Sequence, residues 1–309
     1  MKISVVMTLY NGEQYLLPQL ESILQQTRKV DEVIICDDGS KDSSVQMVEE
    51  FIEKNELSPA WKLHINEKNL GYANNFINGM SYVTGDVVFF ADQDDVWMAE
   101  KVEKSMAVME KNPAIDLLCS EFEVLTCSDD APTIQKFFLQ YMNGSGEVEQ
   151  LHLNEKTIFI GSEGCVMCFR RTFFEEIKGY HFDGWAHDEF LWKLAMAKGT
   201  CYYYHKPLIQ RRMHSGNVSK RKMRDLQKRI LFLENLKRGH EKMLELGKVT
   251  GLSDADVKLI EKNIRSVDLR IALLAEKKYF NTLKLLLFYS KNYHSRRAIP
   301  VELLMAMKG

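Results

Sequence analysis

Val87-Val88-Phe89-Phe90-Ala91-Asp92-Gln93-Asp94-Asp95-Val96-Trp97 carries an apolar strand-like run straight into three carboxylates packed within four positions. Like charges this close repel one another, so the arrangement calls for a cation to neutralise them. In an extended segment positions i and i+2 project from the same side, which lets Asp92 and Asp94 face one ion. Magnesium or manganese, held by one or two carboxylates with phosphate oxygens completing the shell, is the usual hard-cation arrangement of this kind. The same residues also suit an acidic loop at the N-terminus of a helix starting near Met98, where anions are favoured.

On either side of this stretch, residues 1–126 alternate apolar strand-like runs with amphipathic helical stretches, an α/β pattern. Strands are expected at 3–9, 32–36, 61–65, 86–91 and 115–119. Helices are expected at 13–26, 43–55, 73–82 and 99–111, with Asp42 as an N-cap. Pro18 interrupts the first helix unless it lies in the first turn. Polar residues gather where the strands end: Thr8, Tyr10 and Asn11 after the first, Asp37-Asp38-Gly39-Ser40 after the second, Asn69-Leu70-Gly71 beyond the third, and the acidic run after the fourth. Open sheets bind ligands beyond the carboxyl ends of their strands, so the four clusters together point to a nucleotide cleft. Asp38 offers acceptors to a pyrimidine imide or a ribose hydroxyl, and Tyr10 a ring face to a base. Alone, Asp38-Gly39-Ser40 also reads as a turn leading to a helix cap.

The chain's 309 residues suffice for one large domain or two smaller ones. Hydrophobic content of 45% and charged content of 27%, without low-complexity tracts, exclude fibrous and wholly disordered classes. Lys2 and the run Ile3-Ser4-Val5-Val6-Met7 are too short for a signal peptide and read as a first strand. No apolar stretch approaches the roughly 18 residues of a membrane span. Six cysteines form no evident disulfide framework, which favours a reducing, cytoplasmic compartment. Cys165-Val166-Met167-Cys168 spells C-x-x-C, but no second Cys/His pair completes a zinc site, and 164–169 reads as a buried strand with the two thiols on opposite faces.

The net charge of −2 conceals an asymmetry: residues 1–205 carry 17 Lys+Arg against 33 Asp+Glu, a balance of −16, while 206–309 carry 24 against 10, a balance of +14. Residues 220–229 concentrate six positive charges against one negative. A solvated or self-docking helix face, a patch approaching anionic lipid on the inner membrane face, and a nucleic-acid contact compete as readings; no nucleic-acid partner is expected.

Val5-Val6-Met7-Thr8-Leu9-Tyr10-Asn11, then Asp37-Asp38-Gly39-Ser40, then Asp92-Gln93-Asp94-Asp95 resemble glycosyltransferase family 2. The resemblance covers roughly residues 1–219, including 161–169, the Asp188 segment and Met213-His214-Ser215-Gly216-Asn217-Val218. It implies a GT-A (Rossmann-like) catalytic domain over 1–219, a mixed, mostly parallel sheet flanked by helices, followed by a basic helical C-terminal region over 220–309. The implied activity is an inverting, Mn2+- or Mg2+-dependent transfer of a sugar from a dTDP- or UDP-sugar to a hydroxyl of a saccharide or lipid-linked saccharide in cell-surface polysaccharide synthesis. The Asp-Gln-Asp-Asp-Val-Trp form is similar to the rhamnosyltransferase-like branch, which suggests dTDP-rhamnose.

Carried over to this chain, the resemblance assigns Thr8, Tyr10 and Asp38 to the nucleoside, Asp92 to the ribose or donor sugar, Asp94 to the metal, and His214 to the metal or the diphosphate; Asn11 and Gly71, in the same strand-end clusters, are also expected at the nucleotide. Arg211 and Arg212 suit diphosphate oxygens, and serve equally as surface charges. Asn74-Asn75 stands where the family often has Arg-Asn, which leaves the Arg-dependent contact open. The transfer needs a base within about 3 Å of the attacking hydroxyl, on the face opposite the departing diphosphate. In His187-Asp188-Glu189-Phe190-Leu191-Trp192 the base is Asp188, with Glu189 its competitor; the pair also reads as acids opening a helix. Asp95 is assigned to loop support or the acceptor side; His187, where the family commonly has Glu, is read as orienting the Asp188 carboxylate, contacting the acceptor or replacing a structural group.

Residues 126–157 are turn-rich and poorly helical, a place for loops that cover an acceptor. Beyond Ser219 the chain reads as helical, broken at Gly251-Leu252-Ser253-Asp254, and is expected to pack on the catalytic domain, dimerise or rest on a membrane. Two other classes stay open: a nucleotidyltransferase, for which the Gly-rich phosphate loop is not evident near the first strand, and a catalytically silent nucleotide-sugar-binding protein.

Overall fold

Runs of Val, Ile and Phe bounded by turn residues form one mixed sheet in the computed structural model, which describes residues 1–127, 131, 134, 136–214, 216, 225–293, 295 and 297–308. Its strands are β1 (Ile3–Leu9), β2 (Glu32–Asp37), β3 (Trp61–Ile65), β4 (Val87–Ala91), β5 (Val96–Trp97), β6 (Leu117–Thr126), β7 (Val148–Gln150), β8 (Met167–Arg170) and β9 (Cys201–Met213). They lie in the order β3-β2-β1-β4-β8-β6-β9-β5, with β7 also against β9. The β3-β2-β1-β4 part is parallel throughout. The next strand, β8, is antiparallel to both β4 and β6, and β6 resumes parallel pairing with β9.

Helices cover both faces because the parallel strands are apolar on both sides. On one face Val5, Met7, Val33, Ile35 and Phe89 pack with residues of α1 (Leu16–Leu24), α2 (Ser44–Lys54) and α4 (Lys101–Lys111). On the other, Phe90 meets Phe76 of α3 (Tyr72–Gly79) with ring centroids 4.7 Å apart. It also meets His187, the first residue of α7 (His187–Lys198), at 5.2 Å. The short α5 (Lys136–Leu139) and α6 (Arg171–Ile177) complete the helices before β9.

Several boundaries differ from those the sequence suggests. Pro18 does fall in the first turn of α1, where backbone N–H groups have no helical partner and a proline costs little. Asp42 accepts from the Ser44 N–H at 3.0 Å, one residue outside the Ser43 cap position. The strand expected at 115–119 runs to Thr126, because its second half pairs with β9 up to Thr126 opposite Met213. Cys165 lies in a 3₁₀ turn, Gly164–Val166, and only Cys168 is in a strand; both thiols are free and buried.

The chain divides into two compact units, 1–150 with 162–192 and 200–217, and 151–161 with 193–199 and 218–309. The first holds the sheet. The second holds α8 (Leu226–Thr250), α9 (Asp254–Ala275), α10 (Asn281–Phe288) and α11 (Ala298–Lys308) around Leu233, Val267, Leu274, Leu285 and Ile299. Gly251, at φ 81°, ends α8 in the left-handed conformation that glycine adopts without strain, and Ser253 caps α9 by accepting from the Asp256 N–H. Glu302 is fully buried and accepts from Arg229 at 2.6 Å and Arg270 at 2.7 Å, so two of the tail's cations are consumed internally. The basic run at 220–224 and Ser215, Asn217, Val218 and Ser219 lie outside the described residues.

Candidate active site

Register places the predicted clusters side by side. Leu9 pairs with Asp37, and Met7 with Ala91, so the loops after β1, β2 and β4 emerge at one edge. Asp37 folds back to accept from the Gly39 and Ser40 N–H groups at 3.0 Å each. Asp38 is buried and accepts from Asn66 Nδ2 at 3.0 Å, the Leu70 N–H at 2.7 Å and the Gly71 N–H at 2.9 Å. These bonds take three of a carboxylate's roughly four acceptor positions and aim the remaining one. Asn75, the Asn of Asn74-Asn75, donates to Cys36 O at 2.8 Å and accepts from Asn66, which ties α3 to this loop. Asn11, at φ 49°, binds the same loop: its N–H donates to Ser40 Oγ and its Oδ1 accepts from the Lys41 N–H, each at 2.8 Å. Asn11 and Gly71 thus spend these groups on shaping the cleft, while Tyr10 stays half exposed at its rim.

Gly71 sits at φ 78°, ψ 151°, a region that is essentially glycine-only. Gly71→Ala is expected to lower unfolding free energy by about 1–3 kcal/mol. Urea denaturation of the variant measures this, and an unchanged midpoint would contradict it.

The acidic loop is held from β9. Antiparallel pairing of Val96 with Gln210 brings Arg211 and Arg212 beside it. Arg212 donates its backbone N–H to Asp95 Oδ1 at 2.8 Å and its Nε to Asp94 O at 2.7 Å, and its guanidinium lies over the Tyr15 ring. Gln93 clamps the other side, accepting from the Tyr10 N–H at 2.7 Å and donating to Tyr10 O at 3.1 Å. A Cβ on Gly12 would stand 2.7 Å from the Gln93 side-chain amide, which would have to shift to admit it. His214 Nε2 is 2.7 Å from Asp94 Oδ2, and its ring packs on Tyr15 at 4.7 Å. The Gly216 N–H points at Nδ1 from 3.1 Å, which makes Nδ1 an acceptor and leaves the proton on Nε2, facing Asp94.

Electrostatics tie Asp188 to the same place. Burial, then repulsion from Asp94, raises the Asp92 carboxyl to about 7, and Asp188 adds to the shift. Burial raises Asp188 itself to about 6. Its Oδ1 accepts from the Glu189 N–H at 2.7 Å in the first turn of α7. Burial pushes the Tyr72 hydroxyl up to about 12, with the charges of Asp188, Glu189 and Asp92 adding to the shift. Glu163 is raised to about 7 by burial, and Arg211, whose guanidinium suits diphosphate oxygens, lies 2.5 Å from it. His187 is neither beside the Asp188 carboxylate as a partner nor open to an acceptor. It is 4% exposed, with its ring 4.0 Å from that of Phe76, burial lowers it to about 3, and neither ring nitrogen has a hydrogen-bond partner among the described residues.

A divalent cation fits this donor set. Asp95 Oδ2 is buried without a hydrogen-bond partner among the described residues, and burial with the Asp94 and Asp92 charges raises Asp95 well above the usual carboxylate range. Asp92, Asp95 and Cys165 bring ligand atoms within 4.8 Å of one another. Cys165 is a poor partner for a hard ion, since burial holds its thiol protonated. Asp94, whose charge bears on both Asp92 and Asp95, stands beside these carboxylates.

The raised carboxyls set a pH dependence. Unfolded Asp and Glu titrate near pH 4, so between there and about pH 7 the native state holds the more protons through Asp92, Asp188 and Glu163. Their stabilising contribution is therefore complete at low pH and lost as pH rises through that window. Metal-free protein is expected to melt higher at pH 5.5 than at pH 7.5, and Mn2+ to raise Tm more at pH 7.5. Scanning calorimetry reads both; a Mn2+ effect larger at pH 5.5 would contradict the cluster's charge state.

Sequence reasoning missed Gln93, Glu163, Tyr72 and Lys101. Lys101 is buried, donates to Cys165 O at 2.7 Å, lies over Trp97 at 4.5 Å and is lowered to about 8 by burial. Only Gln93, inside the acidic run, carried a signal by position.

Comparison with known proteins accords with this geometry. The family model described as Glycosyl transferase family 2 matches residues 4–177. The Escherichia coli UDP-Glc:alpha-D-GlcNAc-diphosphoundecaprenol beta-1,3-glucosyltransferase WfgD is 32% identical over 123 residues, 40% of this chain and 46% of its own length. The putative glycosyltransferase EpsE of Bacillus subtilis is 35% identical over 111 residues, 36% of this chain and 39% of its own. These matches span less than half the length of either relative. The crystal structure of S. aureus TarS 1–349 in complex with UDP-GlcNAc shares the fold with a TM-score of 0.69 at 18% identity, covering 100% of this chain and 91% of that one. Mannosyltransferase PcManGT from Pyrobaculum calidifontis, in complex with GDP-Man and Mn2+, does so at 0.54 and 17% identity, covering 99% and 86%. The shared architecture is the GT-A fold.

Proposed function

The chain belongs to glycosyl transferase family 2, and from that premise we propose that it transfers a sugar, with inversion, from a nucleotide-diphosphate sugar to a hydroxyl of a saccharide or lipid-linked saccharide. The observation that carries this reading is the convergence of Asp94 and His214, 2.7 Å apart, with Asp188 close enough to Asp92 to raise it. The relative WfgD is named for a glucosyl transfer to a diphosphoundecaprenol-linked sugar, and the fold neighbours hold UDP-GlcNAc or GDP-Man. Residues 1–219 are the catalytic part in this reading, and 220–309 an addition to it.

Asp38, fixed by the Asn66, Leu70 and Gly71 donors, directs its free acceptor position at the base, with Thr8 and the Tyr10 ring beside it. Asp94 would hold Mn2+ or Mg2+, and the bound ion would offset charge developing on the leaving diphosphate. His214 steadies the Asp94 carboxylate through Nε2 in its present tautomer, and in the other would offer that nitrogen to the ion. Asp92 faces the ribose or donor sugar. Asp188 accepts the proton of the acceptor hydroxyl as that oxygen attacks the anomeric carbon from the side opposite the diphosphate, which inverts the centre. Its Glu189 N–H bond fixes the carboxylate for that role. Arg212 and Gln93 position the acidic loop.

Thermal stabilisation by a panel of nucleotide sugars, dTDP-rhamnose and UDP-glucose included, tests this. At least one is expected to raise Tm only when Mn2+ is present. No stabilisation by any of them, with or without Mn2+, would reject the reading.

A further inference from the structure

The exterior of α10 and α11 is built for a surface other than water. α10 buries Asn281 and Leu285 and presents Leu283, Leu286, Leu287 and Phe288 to solvent. Phe280, just before it, is 90% exposed. α11 buries Ile299, Glu302 and Ala306 on one side and exposes Val301, Leu304 and Met307 on another, at spacings of three that align them along the helix. The buried residues of both helices belong to the core formed with α8 and α9, so the exposed apolar rows face outward. Isolated exposed hydrophobics are ordinary, but seven or more on two adjoining helices are a patch.

The segment that carries this patch is basic in sequence. Residues 277–308 contain seven Lys+Arg and a single acid, Glu302. That acid is fully buried against Arg229 and Arg270, so it contributes nothing to the outer surface. Lys284 lies amid the α10 leucines, where its stem can run along apolar surface with the ammonium at the rim. A cavity of about 1110 Å³ beside α10 is bordered by Phe288 and lined by Lys262, Arg265, Lys278 and Lys284; the acids on its wall, Asp268 and Glu276, are already paired with Lys237 and Lys278. No described helix is long and apolar enough to cross a membrane. Exposed apolar rows on a segment where Lys and Arg outnumber acids are the makeup of a helix pair lying in the interface of an anionic bilayer.

We propose that the α10–α11 face docks on an anionic lipid bilayer, burying Phe280 and the leucine row among the acyl chains while lysines meet the headgroups. Its docking does not depend on the transferase reading.

Flotation of the full chain with vesicles of phosphatidylcholine alone, or of phosphatidylcholine with phosphatidylglycerol, tests it. The chain is expected to float with the anionic vesicles, less so as salt is raised. The variant F280S/L283S/L287S is expected to bind about 10–100-fold more weakly. K284E/K308E, which leaves the apolar rows intact, guards against misfolding of the first variant and is expected to lose preference for anionic over neutral vesicles. Absence of flotation with anionic vesicles at low salt would overturn the proposal, as would equal flotation of both variants. So would a wild-type dimer in light scattering that the first variant converts to monomer without change in flotation, since a second copy would then be the occupant.

Discussion

Asp188→Asn is expected to lower transfer turnover by about 10²–10⁴-fold, the range of a positioned general base. The amide keeps the size of the carboxylate and can still accept from the Glu189 N–H, so the turn opening α7 stays formed. What it loses is the capacity to take a proton. Donor affinity, which the proposed reading places at the strand ends and Asp94, is expected to change less than about threefold. Burial raises Asp188 to about 6 in the metal-free chain, so wild-type turnover is expected to fall as pH drops through that value while the variant's residual turnover loses that limb. Glu189→Gln is the control, expected to keep both turnover and the limb. Loss of turnover in Glu189→Gln with retention in Asp188→Asn would exchange the two roles.

Asp94→Ala is expected to abolish Mn2+-dependent stabilisation by the donor. A ligand at 100 times its Kd stabilises the native state by about 2.7 kcal/mol, and that increment is the effect at stake. Removing Asp94 also relieves repulsion on Asp92 and Asp95, so the metal-free variant is expected to melt no lower than wild type, unlike a variant that merely damages the fold. Calorimetry with and without Mn2+ and nucleotide sugar separates the outcomes. An Asp94→Ala variant that keeps the full Mn2+ increment would move the ion to Asp92 and Asp95, whose carboxylates are the alternative cluster.

Much of this arrangement is legible in the order of residues. Strand ends at Asp37-Asp38 and Asp92-Gln93-Asp94-Asp95 follow from apolar runs meeting turn residues, and local chemistry carries that signal. What periodicity cannot carry is pairing between distant strands. The grip of Arg212 on Asp94 and Asp95 depends on β5 meeting β9, more than 110 residues on. Glu163 and Cys165 reach the site because β8 runs antiparallel to β4, which returns the start of β8 to the end of β4. Lys101 reads as one more polar residue of an amphipathic helix, yet its stem packs over Trp97 and its ammonium finds Cys165 O. His187 reads as a polar neighbour of the base, whereas the ring fills a gap among Phe76, Phe90 and Tyr72, and a side chain on Gly164 would collide with it. Tertiary packing, rather than local pattern, assigns both.

One substrate pair must span Asp94 and Asp188 for the transfer to proceed as proposed. A crystal structure of the chain with Mn2+ and a nucleotide-diphosphate sugar measures this directly. The predicted result is an ion joining the Asp94 carboxylate to the diphosphate, with the Asp188 carboxylate on the opposite face of the anomeric carbon and within one acceptor hydroxyl of it. A diphosphate bound away from Asp94, or an anomeric carbon whose open face looks away from Asp188, would contradict it.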